Sequence, residues 1–188
     1  MNRLDYRTLD TFKKDILFST KLEEFWFKLY LCQITSIYDK IEYENTGTDN
    51  KGKYQRVANK NADYTIYLTK LGKTVTRKID IKWAPTPGKA TFKVDNLKHY
   101  IKDDTNILLF YNTGDKRLIK RKDYDLTKHI EEINKVIKNI KYGIIAPYKM
   151  EKILKNYEHK KNYYMGNKVC VEIPSSDFSK YFDECDIK

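Results

Sequence analysis

Two runs, DYTIYL at residues 63–68 and TVTRKIDIKW at residues 74–83, decide how this chain is read. Both are rich in β-branched and aromatic residues, and the short connector between them holds a glycine. Together they predict a β-hairpin turning around Leu71, Gly72 and Lys73. Side chains alternate between the two faces of a strand. In the second run that period puts Asp80 and Lys82 on one face and Ile79, Ile81 and Trp83 on the other. A carboxylate and an ammonium therefore project together from an otherwise apolar strand. In the first run Asp63 shares a face with Thr65 and Tyr67, while Tyr64, Ile66 and Leu68 point the opposite way. A pairing that brings Asp63 near Asp80 gathers two acids and a lysine at one end of the sheet.

Outward from the hairpin, APTPGK at 84–89 carries two prolines and a glycine and must be a loop. Val94, Leu97 and Ile101 then mark a helix, and NILLFY at 106–111 is an apolar run with the length of a buried central strand. Upstream, Leu9, Phe12 and Ile16 fall at helical spacing, and Thr20 with Glu23 has the form of a capping box opening a second helix through about Gln33. Two short N-terminal helices are expected. Residues 37–43 alternate as a strand, and the polar, Gly-containing run 44–53 reads as an exposed loop.

After Asp125, the residues Leu126, Ile130, Ile133, Val136, Ile137 and Ile140 step by three and four, with Lys128, Lys135, Lys138 and Lys141 between them. That pattern predicts an amphipathic helix with a basic outer face. Pro147 suits the first turn of a further helix carrying Met150, Ile153, Leu154 and Tyr157. Residues 163–173, around Met165, Gly166 and Asn167, read as a hairpin, and Ser176 as the cap of a last short helix.

With 188 residues there is room for one compact domain, or one domain with a small appendage. The chain holds 37 Lys and Arg against 26 Asp and Glu, a net charge of +11. The expected partner is a polyanion, nucleic acid before anionic membrane. Of the basic residues 31 are Lys, a residue that compositional bias inflates together with Asn, Ile and Tyr, so the charge alone does not decide. It is also uneven: residues 113–168 hold 15 Lys and Arg against 7 Asp and Glu, while residues 169–188 hold 2 against 5. This suggests a core over 1–112 and a basic helical and hairpin extension over 113–188 packed on it, with a single compact domain as the alternative. A solvated, Lys-rich helix face accounts for the same pattern.

Cys32, Cys170 and Cys185 form no CxxC pair, and His99, His129 and His159 are isolated, so neither a disulfide framework nor a zinc site is indicated. No stretch approaches the roughly 18 apolar residues of a membrane span, and the first ten residues contain no apolar signal core. A cytoplasmic protein with no membrane partner is expected, a viral or mobile-element protein acting in a host cell included.

The charged cluster carries a chemistry. Two close carboxylates repel, and both stay ionised only around a divalent cation. Oxygen ligands with open water positions suit Mg²⁺ or Mn²⁺. Such an ion polarises a phosphoryl oxygen and acidifies its bound water, and an adjacent lysine positions the water or helps to deprotonate it. The reaction this serves is phosphodiester hydrolysis. Four D/E-x-K triplets occur, at 49–51, 80–82, 158–160 and 186–188, so the triplet by itself discriminates nothing. Asp80 stands apart by context, since it lies in a strand with an acid opening the preceding strand and a helix and buried strand following.

Asp63, then sixteen residues, then Asp80-Ile81-Lys82, resembles the PD-(D/E)XK nuclease superfamily, with its restriction-endonuclease-like fold. The resemblance spans about residues 20–112, in the order helix, strand, acidic strand, D-x-K strand, helix, apolar strand. It implies an α/β core, a central mixed sheet flanked by helices, and Mg²⁺-dependent cleavage of DNA, endonucleolytic by default. By the same resemblance Asp63 and Asp80 are metal ligands, the carbonyl of Ile81 is a further ligand, and Lys82 is the water-positioning lysine. Ala62 stands where the family's name has proline. Many members add a glutamate from the first helix. Of Glu23 and Glu24, Glu23 falls among Trp26, Phe27 and Tyr30 on a helical wheel, whereas Glu24 lies beside Lys28 on the solvent side.

Further candidates for phosphate contact are Lys89 and Lys93, which flank Thr91, then Arg56 beside the polar loop, and Arg117, Lys120 and Arg121 at the start of the basic region. Symmetric cleavage of a duplex would favour a homodimer. A different class of function fits the same charge: a non-catalytic nucleic-acid-binding protein that keeps the fold, its acids serving structure. An interaction protein with compositional lysines is a third.

Overall fold

The computed structural model describes residues 9–47, 61–118, 124–165 and 167–187. It is an α/β protein built on a mixed six-stranded sheet, with helices on both faces and a second, three-stranded sheet. No helix among the described residues is long and apolar enough to cross a membrane.

The first element, α1 (Leu9–Ile34), is one helix where two were expected. Phe18, Leu22, Trp26, Tyr30 and Ile34 are all buried and recur every four residues, so one apolar stripe runs straight through the supposed cap at Thr20. Thr20 is itself only 8% exposed, a position inside the packed face and not at a helix start. Strand β1 (Lys40–Asn45) follows and pairs antiparallel with β2 (Tyr64–Lys70). The hairpin read from the sequence is present, with β2 antiparallel to β3 (Lys73–Ala84) from Lys70↔Lys73 to Tyr64↔Ile79. Its turn residues Leu71 and Gly72 both have positive φ, 50° and 72°, the conformation of a two-residue type I′ turn.

From β3 the loop of prolines leads into β4 (Lys89–Lys93), α2 (Val94–Lys102) and β5 (Thr105–Asn112). β5 returns parallel to β3, with Asp80 opposite Ile107 and Lys82 opposite Leu109. Leu108 and Phe110 pack toward α1, while Ile107, Leu109 and Tyr111 pack on the other side, so β5 is buried on both faces as its apolar run requires.

The helix expected from Leu126 to beyond Ile140 stops early. α3 (Leu126–Lys135) ends in a 3₁₀ turn at Ile137–Asn139, and Ile140 opens strand β6 (Ile140–Ile145), antiparallel to β5. Thr113 secures the change of direction through its N–H and its hydroxyl, both donated to the Asn139 carbonyl at 2.7 and 2.8 Å. Next come α4 (Pro147–Asn156), with Pro147 in its first turn, and the hairpin of β7 (Lys160–Asn162) and β8 (Lys168–Pro174). Its first strand lies earlier than the sequence suggested, because Tyr163–Met165 forms a 3₁₀ turn after it. The last short helix is the 3₁₀ segment Ser175–Lys180, and β9 (Cys185–Asp186) closes the chain's described part.

The sheet order is β1-β2-β3-β5-β6-β9, and the small sheet runs β4-β8-β7. One core, under α1 and α3, is dominated by aromatics: Trp26 stacks on Phe110 with centroids 4.6 Å apart, and Phe27 on Tyr64 at 3.7 Å. The other core gathers α2, α4 and the small sheet around Leu97, Met150, Ile153, Val171 and Phe178. Residues beyond 112 therefore supply β6 and β9 to the main sheet and β8 as the partner of β4.

Candidate active site

The sheet opens a gap at one point on β3. Pairing with β2 stops at Tyr64↔Ile79, whereas β3 runs on beside β5 as far as Ala84. Past Ile79 the edge of β3 facing β2 therefore has no strand to bond among the described residues. Asp63, the residue just before β2, fills part of the gap: its Oδ2 accepts the Ile81 N–H at 2.7 Å. Its main chain is fixed by the loop after β1, because Thr46 and Gly47 donate their N–H groups to the Asp63 carbonyl at 3.0 and 3.1 Å. Thr46 Oγ1 also donates to the carbonyl of Ala62 at 2.8 Å.

Asp80 and Lys82 leave β3 on the face covered by α2. Asp80 is only 5% exposed and forms an ion pair with the Lys82 ammonium. Lys82 Nζ also donates to the carbonyl of its neighbour Ile81 at 3.1 Å. Burial pulls the Lys82 pKa down. Asp80 above all, with Asp63 and Glu23 behind it, more than offsets that cost and holds the group well above the ordinary lysine value. Lys82 is thus a fixed cation. Asp63, Asp80 and Lys82 come together around one residue, Ile81.

Glu23 belongs to the same electrostatic neighbourhood, since its charge acts on both Lys82 and Tyr64. It precedes by one helical turn the pair Trp26 and Phe27, which pack on Trp83 and Tyr64. Glu24 instead bonds Lys28 at 2.7 Å on the exposed side of α1. Glu23 is half-buried and Glu24 exposed, the order of exposure that the helical wheel gives.

One residue of the site was not singled out in the sequence. Tyr100 of α2 is 6% exposed, lies beside Asp80, and has its ring under the Lys82 ammonium, 5.7 Å from Nζ to centroid. Burial raises its phenol above the ordinary tyrosine value. The only sequence signal was its place on the Val94, Leu97, Tyr100 stripe, which reads equally well as plain packing.

The proposed phosphate contacts are scattered. Lys89 and Lys93 lie on the small sheet, and Lys89 is bonded to Glu172 at 2.7 Å. Arg117 is exposed in the loop after β5. That loop reaches the exit of β3, with Leu118 N–H donated to the Pro85 carbonyl at 3.1 Å. Arg56, Lys120 and Arg121 lie outside the described residues. The basic helix face is also smaller than expected. α3 carries Glu131 and Glu132 among its lysines, Lys128 pairs with Asp125 at 3.3 Å, and Lys141 sits in β6 against Glu184 and Asp186 at 3.5 and 3.6 Å.

Among the described residues no three His, Cys, Asp or Glu side chains form a ligand cluster. The donor set on offer is two carboxylates and a carbonyl. Asp80 Oδ2 is buried without a well-directed hydrogen bond. The Lys82 ammonium meets it and the Ile81 oxygen, two of the oxygens the sequence assigned to a metal. A cation at this place, held by hard oxygen donors, fits Mg²⁺ or Mn²⁺ better than a softer metal. Comparison with protein-family models, with curated proteins and with solved structures returned no match.

Proposed function

We propose that this chain is a metal-dependent DNA endonuclease of the PD-(D/E)XK type, with α1, β1, β2, β3, α2 and β5 as a restriction-endonuclease-like core. The observation that carries the reading is the meeting of Asp63, Asp80 and Lys82 around Ile81, just past the last β2–β3 pair. Asp63, Asp80 and the Ile81 carbonyl would hold Mg²⁺ or Mn²⁺. Bound there, such an ion supplies Lewis-acid polarisation of a phosphoryl oxygen and a water acidic enough to be a nucleophile.

The chain's own residues do the rest. Lys82, held as an ammonium, orients the attacking water and offsets the negative charge that grows on the phosphorus-bound oxygens. Asp80 limits where that ammonium can go. Glu23 adds negative charge on the α1 side and so favours cation binding in the gap. The net charge of +11 supports a nucleic-acid substrate, because it draws a polyanion to the molecule.

The test is incubation with plasmid and with single-stranded DNA in Mg²⁺, Mn²⁺ or EDTA, alongside Asp80→Asn and Lys82→Ala. Cleavage in either metal is expected, none in EDTA, and rates reduced by about 10²-fold or more in both variants. Cleavage that survives either substitution overturns the site. Salt-sensitive binding without cleavage favours a non-catalytic nucleic-acid-binding protein instead.

A further inference from the structure

Tyr100 is buried, and a buried phenol usually takes a polar neighbour. Phe would fill the same volume in α2 without that cost. Here the phenol lies beside Asp80, whose charge acts on it, and the ring supports the Lys82 ammonium at 5.7 Å. One side chain thus touches both members of the ion pair, each by a different part. Asp80 is ion-paired with Lys82 and has the Tyr100 side chain beside it, which restricts rotation of its carboxylate. Lys82, a long chain with four rotatable bonds, lies between a carboxylate, a carbonyl and an aromatic face.

We propose that Tyr100 is a positioning residue for the candidate site: its hydroxyl orients Asp80 toward the cation and its ring holds Lys82 over the same point. The proposal rests on the nuclease reading and extends it to a residue outside the D-x-K strand. Outer partners that orient a ligating carboxylate typically contribute about 10- to 100-fold to metal affinity or activity.

Two substitutions separate the two parts of the side chain. Tyr100→Phe removes the hydroxyl and keeps the ring, whereas Tyr100→Leu removes both. Each is measured as full-length protein by thermal melting, by Mn²⁺ binding in a calorimeter without DNA, and by steady-state cleavage in Mg²⁺. Tyr100→Phe is expected to weaken Mn²⁺ binding about tenfold and to lower kcat about tenfold, with KM for DNA changed by less than about twofold. Tyr100→Leu is expected to lose more kcat than Tyr100→Phe, since Lys82 loses its support.

Lower melting temperatures with unchanged Mn²⁺ affinity and kcat would show a purely structural tyrosine and overturn the proposal. If the wild type binds Mn²⁺ but cuts no DNA, the nuclease reading fails, and the Mn²⁺ affinities of the two variants still decide the role of Tyr100. A wild type that binds no Mn²⁺ overturns both.

Discussion

Asp63 serves the fold and the candidate chemistry through one carboxylate, and substitution can separate the two. As an acceptor it satisfies the Ile81 N–H, which no strand among the described residues reaches after the last β2–β3 pair. As a charge it helps to hold Lys82 protonated and would bind the cation. Asparagine retains a carbonyl oxygen in the same position. Asp63→Asn is therefore expected to change stability by less than about 1 kcal/mol while reducing cleavage about 10²-fold or more. Asp63→Ala should lose activity to the same extent and in addition cost about 1–3 kcal/mol, because a hydrogen bond to a charged acceptor disappears and a strand N–H is left unpaired. Denaturant unfolding and plasmid cleavage, run side by side, read the two effects independently. If Asp63→Asn cleaves as well as the wild type, the residue is structural and the metal-ligand role is wrong.

At the scale of the element, the β2–β3 hairpin sets the site, since its register determines which β3 residue lies beyond the last pair. That register follows from a two-residue turn in which Leu71 has φ 50° and is 85% exposed. A left-handed conformation costs a branched, non-Gly residue about 1 kcal/mol, and Asn tolerates it far better. Leu71→Asn keeps the backbone N–H that Asp39 Oδ2 accepts at 2.6 Å and gives up almost no burial. It should raise unfolding stability by about 0.5–1 kcal/mol with cleavage unchanged; a lower stability would mean that Leu71 packs where it is now exposed. The hairpin was legible in the sequence because its signals are local: period two, a glycine-bearing turn, and acids at fixed offsets within one strand pair. The continuity of α1 was harder to see, because the Thr20 and Glu23 capping signal competed with a stripe that only tertiary packing makes decisive. Ile140 was misassigned for a related reason. A short run of isoleucines matches helix and strand equally well, and its pairing partner, Asn112, is distant in sequence. Tyr100 carries no such signal, because its approach to Lys82 and Asp80 crosses from helix to sheet and leaves no spacing to detect.

At the scale of the whole molecule the question is whether the part bearing the site is stable by itself. A boundary at residue 112 would cut between strands of one sheet, for β6 pairs with β5 along Ile107↔Ile145 to Asn112↔Ile140. It would also strip Met150, Ile153, Val171, Ile173 and Phe178 from the core beneath α2, the helix that carries Tyr100. The two halves should accordingly unfold together. Gly143, in β6, offers a test, because a Cβ at that position would overlap the Phe182 ring. Ring or strand must shift, and overpacking of this kind costs about 1–3 kcal/mol. Both tryptophans of the chain, Trp26 and Trp83, precede residue 112 and pack against each other with ring centroids 4.8 Å apart. Their fluorescence thus reports the half that does not contain the substitution. In a cooperative molecule Gly143→Ala lowers the denaturation midpoint seen by tryptophan fluorescence as much as the midpoint seen by far-ultraviolet circular dichroism. If the fluorescence transition stays where it is in the wild type while the dichroism splits into two, the site-bearing half folds independently, and the strands after residue 112 are an accessory to it.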